Sequence, residues 1–121
     1  MISHRIDHCN RISTSLTQLG VDHKIYVGND SRLAEARATG VIISSYKKFS
    51  KGVDAPELDT LLLLTPCSDP EQVVGRITRV HEGKKNALII DPKFNHPYLL
   101  ALWKKRAKIY NQMGLRDGTI T

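Results

Sequence analysis

Apolar residues alternate along the chain between short continuous runs and stripes with helical spacing. The runs are rich in Leu, Ile and Val and are bounded by Gly, Pro or Asp, which favours buried strands. The stripe of Ile6, Cys9, Ile12, Leu16 and Leu19 repeats every three or four residues, as in an amphipathic helix. We expect the tail of a strand at 1–3, strands at 23–27, 41–44, 60–64 and 87–90, and helices at 6–19, 32–38, 69–80 and 97–113.

Buried strands that alternate with helices are typical of an α/β domain, with a mainly parallel sheet and helices on both faces. The 121 residues are enough for one such domain with its own core. Segment 46–58 has no clear period and contains Gly52, so we expect a structured loop there, with room for a helical turn. Ligands bind beyond the carboxyl ends of parallel strands. The loop after Ser44, the segment after Leu64 and the start of helix 69–80 should therefore meet at one edge.

The start of helix 69–80 carries two overlapping capping signals. Asp69 is a candidate N-cap followed by Pro70, which suits the first helical position. Ser68 and Glu71 offer a capping box one residue earlier. A second capping prediction is that Ser31 or Asp30 starts helix 32–38.

Helix 69–80 also presents a polar stripe, because Gln72, Arg76 and Arg79 follow one another at i, i+4 and i+7. Gly75 costs about 1 kcal/mol relative to Ala in a helix interior, which indicates close approach of another backbone or of a ligand. The alternative is a surface helix with two solvated arginines.

The charge of the chain favours a polyanionic partner, with a net charge of +6 and a pI near 9.5. Between Arg76 and Lys108 there are nine basic and two acidic residues. A solvated basic face is the alternative interpretation, above all for Lys104, Lys105 and Lys108 on the last helix. We expect Trp103 and Tyr110 to belong to the core.

Several classes of protein are not expected. The longest apolar run, Leu61 to Leu64, is too short to span a membrane, and residues 1–5 do not begin a secretory signal. Cys9 and Cys67 are predicted to be free thiols in a reducing compartment, and no metal motif is present. The chain has no phosphate loop, so it lacks the parts for nucleotide hydrolysis on its own.

Three segments, taken in order, resemble motifs of the second RecA-like domain of superfamily 2 helicases. Ser3-His4-Arg5 before a helix resembles motif IV, and Gly52-Val53-Asp54 before Pro56 resembles motif V. The pattern Gln-x-x-Gly-Arg-x-x-Arg at 72–79 resembles motif VI. The resemblance covers residues 1–113, with a clipped first strand and a flexible tail at 114–121. Ser45-Tyr46 and the last helix look most like phage and large-DNA-virus helicases.

The resemblance implies a three-layer RecA-like domain of the P-loop NTPase type, which binds ATP with Mg²⁺ against a first RecA-like lobe. Arg76 and Arg79 would reach the γ-phosphate as catalytic residues, and such arginines contribute roughly 10³–10⁵ in rate. Gln72, Gly52 and Asp54 would bind the nucleotide. The first lobe would hold the metal.

The resemblance also implies contacts to a DNA or RNA backbone from His4, Arg5, Ser45 and Tyr46. Binding of this kind is largely independent of sequence and weakens with salt. Val73 departs from the family pattern, since many members carry Arg there.

The first lobe is missing from this sequence, so it would come from the same or another chain. We therefore expect the C-terminal motor lobe of an ATP-dependent helicase or translocase, inactive alone, in the cytoplasm or a viral or phage replication context. It would be neither secreted nor membrane-bound. The alternative is a non-enzymatic nucleic-acid-binding module, and a third hypothesis is a phosphate-binding α/β regulatory domain.

Overall fold

Five strands alternate with five helices in the computed structural model, which describes residues 1–51, 53–79, 86–115 and 118. The strands are β1 (Ile2–Ser3), β2 (Lys24–Tyr26), β3 (Ile42–Ser45), β4 (Thr60–Leu62) and β5 (Leu88–Ile90). The helices are α1 (Ile6–Gln18), α2 (Leu33–Thr39), α3 (Tyr46–Ser50), α4 (Glu71–Ile77) and α5 (Pro97–Gln112). Each expected strand and helix is present, and α3 opens the segment that we expected to be a structured loop.

The strands pair in parallel in two groups that one bridge connects. β3 lies between β1 and β2, with Ile43 opposite Ile25, and β4 pairs with β5. A parallel bridge joins Ile2 to Leu63, and the Leu64 amide donates a hydrogen bond of 2.8 Å to the Ile2 carbonyl. The spatial order is therefore β2-β3-β1-β4-β5. The prediction of an α/β domain with a mainly parallel sheet is confirmed.

The core lies between this sheet and the helices packed on it. Ile2, Leu61, Val73, Val74 and Ile77 are each at most 2% exposed. The last three form the apolar face of α4. No helix in the described ranges is long and apolar enough to cross a membrane.

The start of α4 differs from the prediction. Pro70 occupies the N-cap position, and no side chain there caps the helix. The Asp69 carboxylate instead accepts a hydrogen bond of 3.3 Å from the Glu71 amide, two residues on. Short acidic side chains favour such local turns, which compete with capping. Asp30 behaves in the same way toward the Arg32 amide, so both capping predictions are wrong.

The end of α4 also differs, because the helix stops at Ile77 and Thr78 is its C-cap. The Thr78 hydroxyl donates a hydrogen bond of 3.3 Å to the Gly75 carbonyl. Arg79 therefore lies beyond the helix, and the predicted helical stripe holds only for its first two members. Val80, which we expected at the end of the helix, lies outside the described residues.

Candidate functional site

The arginines of the motif VI-like segment lie beside the motif V-like segment. Arg76, near the C-terminal end of α4, donates a hydrogen bond of 3.0 Å from its Nη2 to the Ser50 carbonyl at the end of α3. Arg79 Nη1 lies 3.8 Å from Asp54 Oδ1. Because α3 packs against α4, the fold brings three of the predicted nucleotide-site residues together.

The Arg76 guanidinium is only partly satisfied within this group. Its Nε is buried and has no hydrogen-bond partner among the described residues. A buried donor without a partner costs about 1–3 kcal/mol. An acceptor oxygen that reached this nitrogen would recover that cost, and guanidinium donors match the geometry of phosphate oxygens.

The pair formed by Arg79 and Asp54 is open to solvent. Their side chains are 40% and 83% exposed. Exposed ion pairs of this kind contribute about 0–1 kcal/mol, so a competing anion can displace the carboxylate at little cost. The pair thus joins the two segments through a contact that is open to solvent.

The other predicted nucleotide contacts surround this group less tightly. Gln72 is exposed on the first turn of α4, and Gly52 lies outside the described residues. A Cβ placed on Gly75 would meet no heavy atom of the described chain within 4 Å. Among the described residues no other backbone approaches Gly75 closely, so the approach of a ligand stays a prediction, and the described part of the chain leaves open space beside this glycine.

Two predicted nucleic-acid residues stack on each other at the carboxyl edge of the sheet. The rings of His4 and Tyr46 have centroids 4.2 Å apart and planes inclined by 25°. The Tyr46 hydroxyl donates to the Thr65 carbonyl at 2.7 Å, and the His4 amide donates to the Thr65 hydroxyl at 2.9 Å. The loop after Ser44 and the segment after Leu64 therefore meet, as expected, and the end of β1 joins them. His4 stays exposed, whereas Tyr46 is buried and positions it.

Ser45 lies in a cleft at the carboxyl ends of β2 and β3. The cleft has a volume of about 760 Å³ and is lined in part by Lys47, Lys48 and Lys51. Lys48 Nζ donates to the Asp30 carbonyl at 2.7 Å, while Lys47 and Lys51 are exposed. The Ser45 hydroxyl accepts a hydrogen bond from the Lys48 amide and so caps α3. Three ammonium groups around one cleft favour an anionic ligand.

Arg5, the remaining predicted nucleic-acid contact, is exposed and engaged locally. Its guanidinium donates two hydrogen bonds of 3.2 Å to Asp7. These bonds and the charge of Arg5 lower the pKa of the Asp7 carboxyl. A nucleic-acid phosphate would have to displace this carboxylate to reach Arg5.

A buried ion pair on α5 was not expected from the sequence. Arg106 is 1% exposed and donates two hydrogen bonds, of 2.7 and 2.9 Å, to the two carboxylate oxygens of Asp91. Its third bond, of 2.9 Å, goes to the Cys67 carbonyl, and the Tyr110 hydroxyl donates to Asp91 at 2.5 Å. Asp91 follows β5 directly, so this network ties α5 to the carboxyl edge of the sheet.

Tyr110 and Arg106 keep their protons well beyond neutral pH, because the pKa of each is raised. Burial raises the pKa of Tyr110, and its hydrogen bond to Asp91 raises it further. Burial alone would lower the pKa of Arg106, but the hydrogen bonds and charge of Asp91 outweigh burial and raise it. Burial and the neighbouring Cys67 raise the pKa of Tyr46. These groups are therefore suited to fixing structure and not to proton transfer.

One signal in the sequence could have identified Arg106. It falls on the same helical stripe as Leu99, Trp103 and Tyr110, where every third or fourth position is otherwise apolar. A charge within an apolar stripe requires a buried partner, because an unpaired buried charge is very costly. Both cysteines are free and buried, and no cluster of metal-ligating side chains forms in the described ranges.

Together, these features define a parallel α/β domain with an arginine pair beside an acidic loop and a lysine-lined cleft at the carboxyl edge. A comparison with the profiles of known protein families finds no match. The chain is 36% identical over 75 residues to uncharacterized protein 108L of Invertebrate iridescent virus 3, a match that covers 61% of this chain and 70% of that protein. The chain belongs to the same family as this viral protein.

Proposed function

We propose that the chain is the C-terminal motor lobe of a superfamily 2 helicase or translocase, and that it works with an N-terminal RecA-like lobe. The observation that carries the proposal is the junction between α3 and α4. There Arg76 and Arg79 meet Ser50 and Asp54, so the residues that resemble motifs V and VI form one group. A chance resemblance of two short segments would not require them to be neighbours in the fold.

The order of the strands supports a three-layer arrangement for this lobe. The step from β1 to β2 moves toward one side of the sheet, whereas every later step moves toward the other. Crossovers between parallel strands are almost always right-handed. They therefore put α1 on one face and α2, α3 and α4 on the opposite face, in agreement with the packing of α3 against α4.

In the proposed site, Arg76 and Arg79 neutralise charge on the γ-phosphate of ATP. The buried Nε of Arg76, which has no partner among the described residues, would donate to a phosphate oxygen that reached it. Asp54, Gln72 and Gly52 contribute to nucleotide binding, and the first lobe holds Mg²⁺. This assignment of the metal rests on the resemblance to superfamily 2 helicases.

The proposed nucleic-acid contacts lie at the carboxyl edge of the sheet. They are separate from the two arginines, which lie at the C-terminal end of α4 and just beyond it. The exposed His4 ring and the cleft beside Ser45 offer groups that bind phosphate and sugar. Tyr46 acts there by positioning His4. Contacts of this type would accept DNA or RNA with little sequence preference. The viral relative supports a role in a virus or phage, where we place this lobe in nucleic-acid replication.

Turnover by a two-lobe protein tests the proposal. This chain is fused behind a first RecA-like lobe that carries a phosphate loop, and ATP hydrolysis is measured with and without single-stranded nucleic acid. Arg79→Ala should reduce turnover by roughly 10³-fold or more and leave nucleic-acid binding unchanged. Arg37→Ala is the matched control, because Arg37 also pairs with a carboxylate near the surface, that of Glu57. Wild-type turnover in Arg79→Ala would rule out the assigned role.

The second candidate function is a non-enzymatic nucleic-acid-binding module built on a solitary lobe. The cleft with Lys47, Lys48 and Lys51 favours it, because this chain supplies that cleft without a partner. The test is a salt titration of single-strand binding by the isolated chain. Absence of measurable binding at low salt would reject this function.

A further inference from the structure

After β5 the chain extends away from the sheet, and the side chain of Arg106 on α5 connects it to the sheet again. It departs at Asp91 and is bound again at Arg106, whose guanidinium holds the Asp91 carboxylate. The helix between Pro97 and Arg106 spans about 13 Å at 1.5 Å per residue. Residues 92–105, here called the arm, are therefore an excursion whose two ends are tied together.

The arm contributes little to the hydrophobic core. The part of α5 that packs against the core follows Arg106 and comprises Tyr110 and Met113, with Leu115 just beyond the helix. Among the described residues, no member of the arm belongs to that core cluster. The three leucines and the tryptophan of the arm are half-buried, whereas most of its other side chains are exposed and open to a partner.

Aromatic side chains are exposed on the arm. Tyr98 is 67% exposed and Phe94, four residues earlier, is 41% exposed. Lys93 Nζ lies 4.6 Å from the centre of the Trp103 ring, a cation–π contact that covers the third aromatic ring of the arm. The two uncovered rings thus offer flat apolar faces to solvent.

The charge around these rings is entirely positive. Residues 92–115 include no Asp or Glu, and they carry five basic residues at 93, 104, 105, 106 and 108. Asp91 compensates Arg106, so four lysines remain. Tyr98 and Lys105 are seven residues apart and share a helix face, and Lys108 lies three residues further along the same exposed side.

We propose that the arm is a binding surface for single-stranded nucleic acid, with bases stacked on Phe94 and Tyr98 and phosphates held by Lys104, Lys105 and Lys108. Exposed aromatic rings among basic side chains are the combination that binds single strands, and a duplex would hide the base faces. A membrane surface fits less well, because the apolar stripe near the end of α5 already packs on the core. The surface is distinct from the cleft beside Ser45, and it does not depend on ATP-driven activity.

Binding of a fluorescent oligothymidine to the full chain, measured by anisotropy, tests the arm. The double variant Phe94→Ala/Tyr98→Ala should lose about tenfold or more in affinity, since each stacked base contributes substantially. Lys104→Gln/Lys105→Gln should reduce the slope of log affinity against log salt by about 1.4, which is 0.7 for each single-strand phosphate contact. Circular dichroism of each variant checks that it is folded.

Matched controls on α1 and just beyond its end separate the arm from general effects of charge and hydrophobicity. Leu19→Ala removes another exposed apolar side chain, and Arg11→Gln removes another exposed positive charge. Both should bind as the wild type does, apart from a small change in long-range attraction. Equal losses in the controls and the arm variants would overturn the proposal, as would unchanged affinity in the folded arm variants.

Photocrosslinking locates the contact independently. An oligonucleotide with 5-iodouracil should crosslink to a peptide within residues 92–105, and chiefly at the two exposed rings. Crosslinks confined to other peptides would overturn the proposal. A second contradicting result is also possible. If the arm variants lost binding to phosphatidylserine vesicles but kept their affinity for oligothymidine, the proposal would be overturned. Failure of ATP turnover in the two-lobe protein would not contradict the proposal for the arm, because the binding of single strands to the arm needs no nucleotide.

Discussion

Two Arg–Asp pairs in this domain have the same chemistry and opposite surroundings. Arg106 and Asp91 are 1% and 8% exposed and meet through two short hydrogen bonds. Arg79 and Asp54 are 40% and 83% exposed and approach only to 3.8 Å. Water screens the second pair, and the protein fixes the first. The first pair holds the fold, and we propose that the second can exchange its partner for a ligand.

The largest expected effect follows from breaking the buried pair. Arg106→Met leaves the Asp91 carboxylate buried without its partner, which typically costs 3–5 kcal/mol of stability, so we expect a loss of about that size. Urea denaturation of the isolated chain measures it. The double variant Arg106→Met/Asp91→Leu should recover most of the loss, because an apolar replacement of a buried pair is often neutral. A loss below about 1 kcal/mol in the single variant would contradict the assignment.

Tyr110→Phe tests a second hydrogen bond of the buried pair. The variant removes the hydroxyl that donates to Asp91 and leaves the ring in place. A hydrogen bond to a charged group contributes about 1.5–3 kcal/mol, so a loss in that range is expected in the same denaturation experiment. Tyr98→Phe is the matched control, since the Tyr98 ring is exposed, and it should change stability very little.

Gly75→Ala tests the open surface next to the exposed pair. Because a Cβ at this position meets no other part of the described chain within 4 Å, the isolated chain should gain up to about 1 kcal/mol from better helix propensity. In the two-lobe protein the same methyl group should raise the KM for ATP if the nucleotide or the first lobe approaches this surface. A destabilised isolated chain would show that the space beside Gly75 is not open.

The smallest expected effect concerns acid. The Arg32 side chain and amide donate hydrogen bonds to Asp30 and lower the pKa of its carboxyl to about 2. A carboxyl whose folded pKa is depressed adds stability above its ordinary pKa near 4 and loses it as the pH falls through about 2. The melting temperature should therefore decline over this window, and Asp30→Asn should reduce that decline. If the melting temperature of Asp30→Asn declined with pH as steeply as that of the wild type, the acid sensitivity would come from other groups.

Apolar patterning was sufficient to predict the strands and the long helices. Ile42 and Ile43 are buried, and so are Leu61 and Leu63 on either side of the half-buried Leu62, so hydrophobicity alone marks both runs as strands. The ends of helices were harder to predict, because Asp69 can either cap a helix or close a local turn with the same carboxylate. The choice depends on packing that the sequence does not encode locally.

The candidate site was predicted unevenly for a similar reason. Arg76, Arg79 and Asp54 came from their resemblance to motifs, and the fold brings them together. Arg106 was grouped with the surface charges because its partner, Asp91, is fifteen residues away in sequence and becomes a neighbour only through the fold.

ATP turnover and folding stability, measured side by side on Arg76→Ala and Arg79→Ala, test the central claim most directly. The exposed pair and the unsatisfied Arg76 nitrogen are assigned to a nucleotide and not to the fold. In the two-lobe protein, both variants should lose roughly 10³-fold or more in turnover. In the isolated chain, the stability of Arg79→Ala should change by no more than about 1 kcal/mol. Normal turnover in both variants, or turnover lost only in proportion to unfolding, would contradict the account.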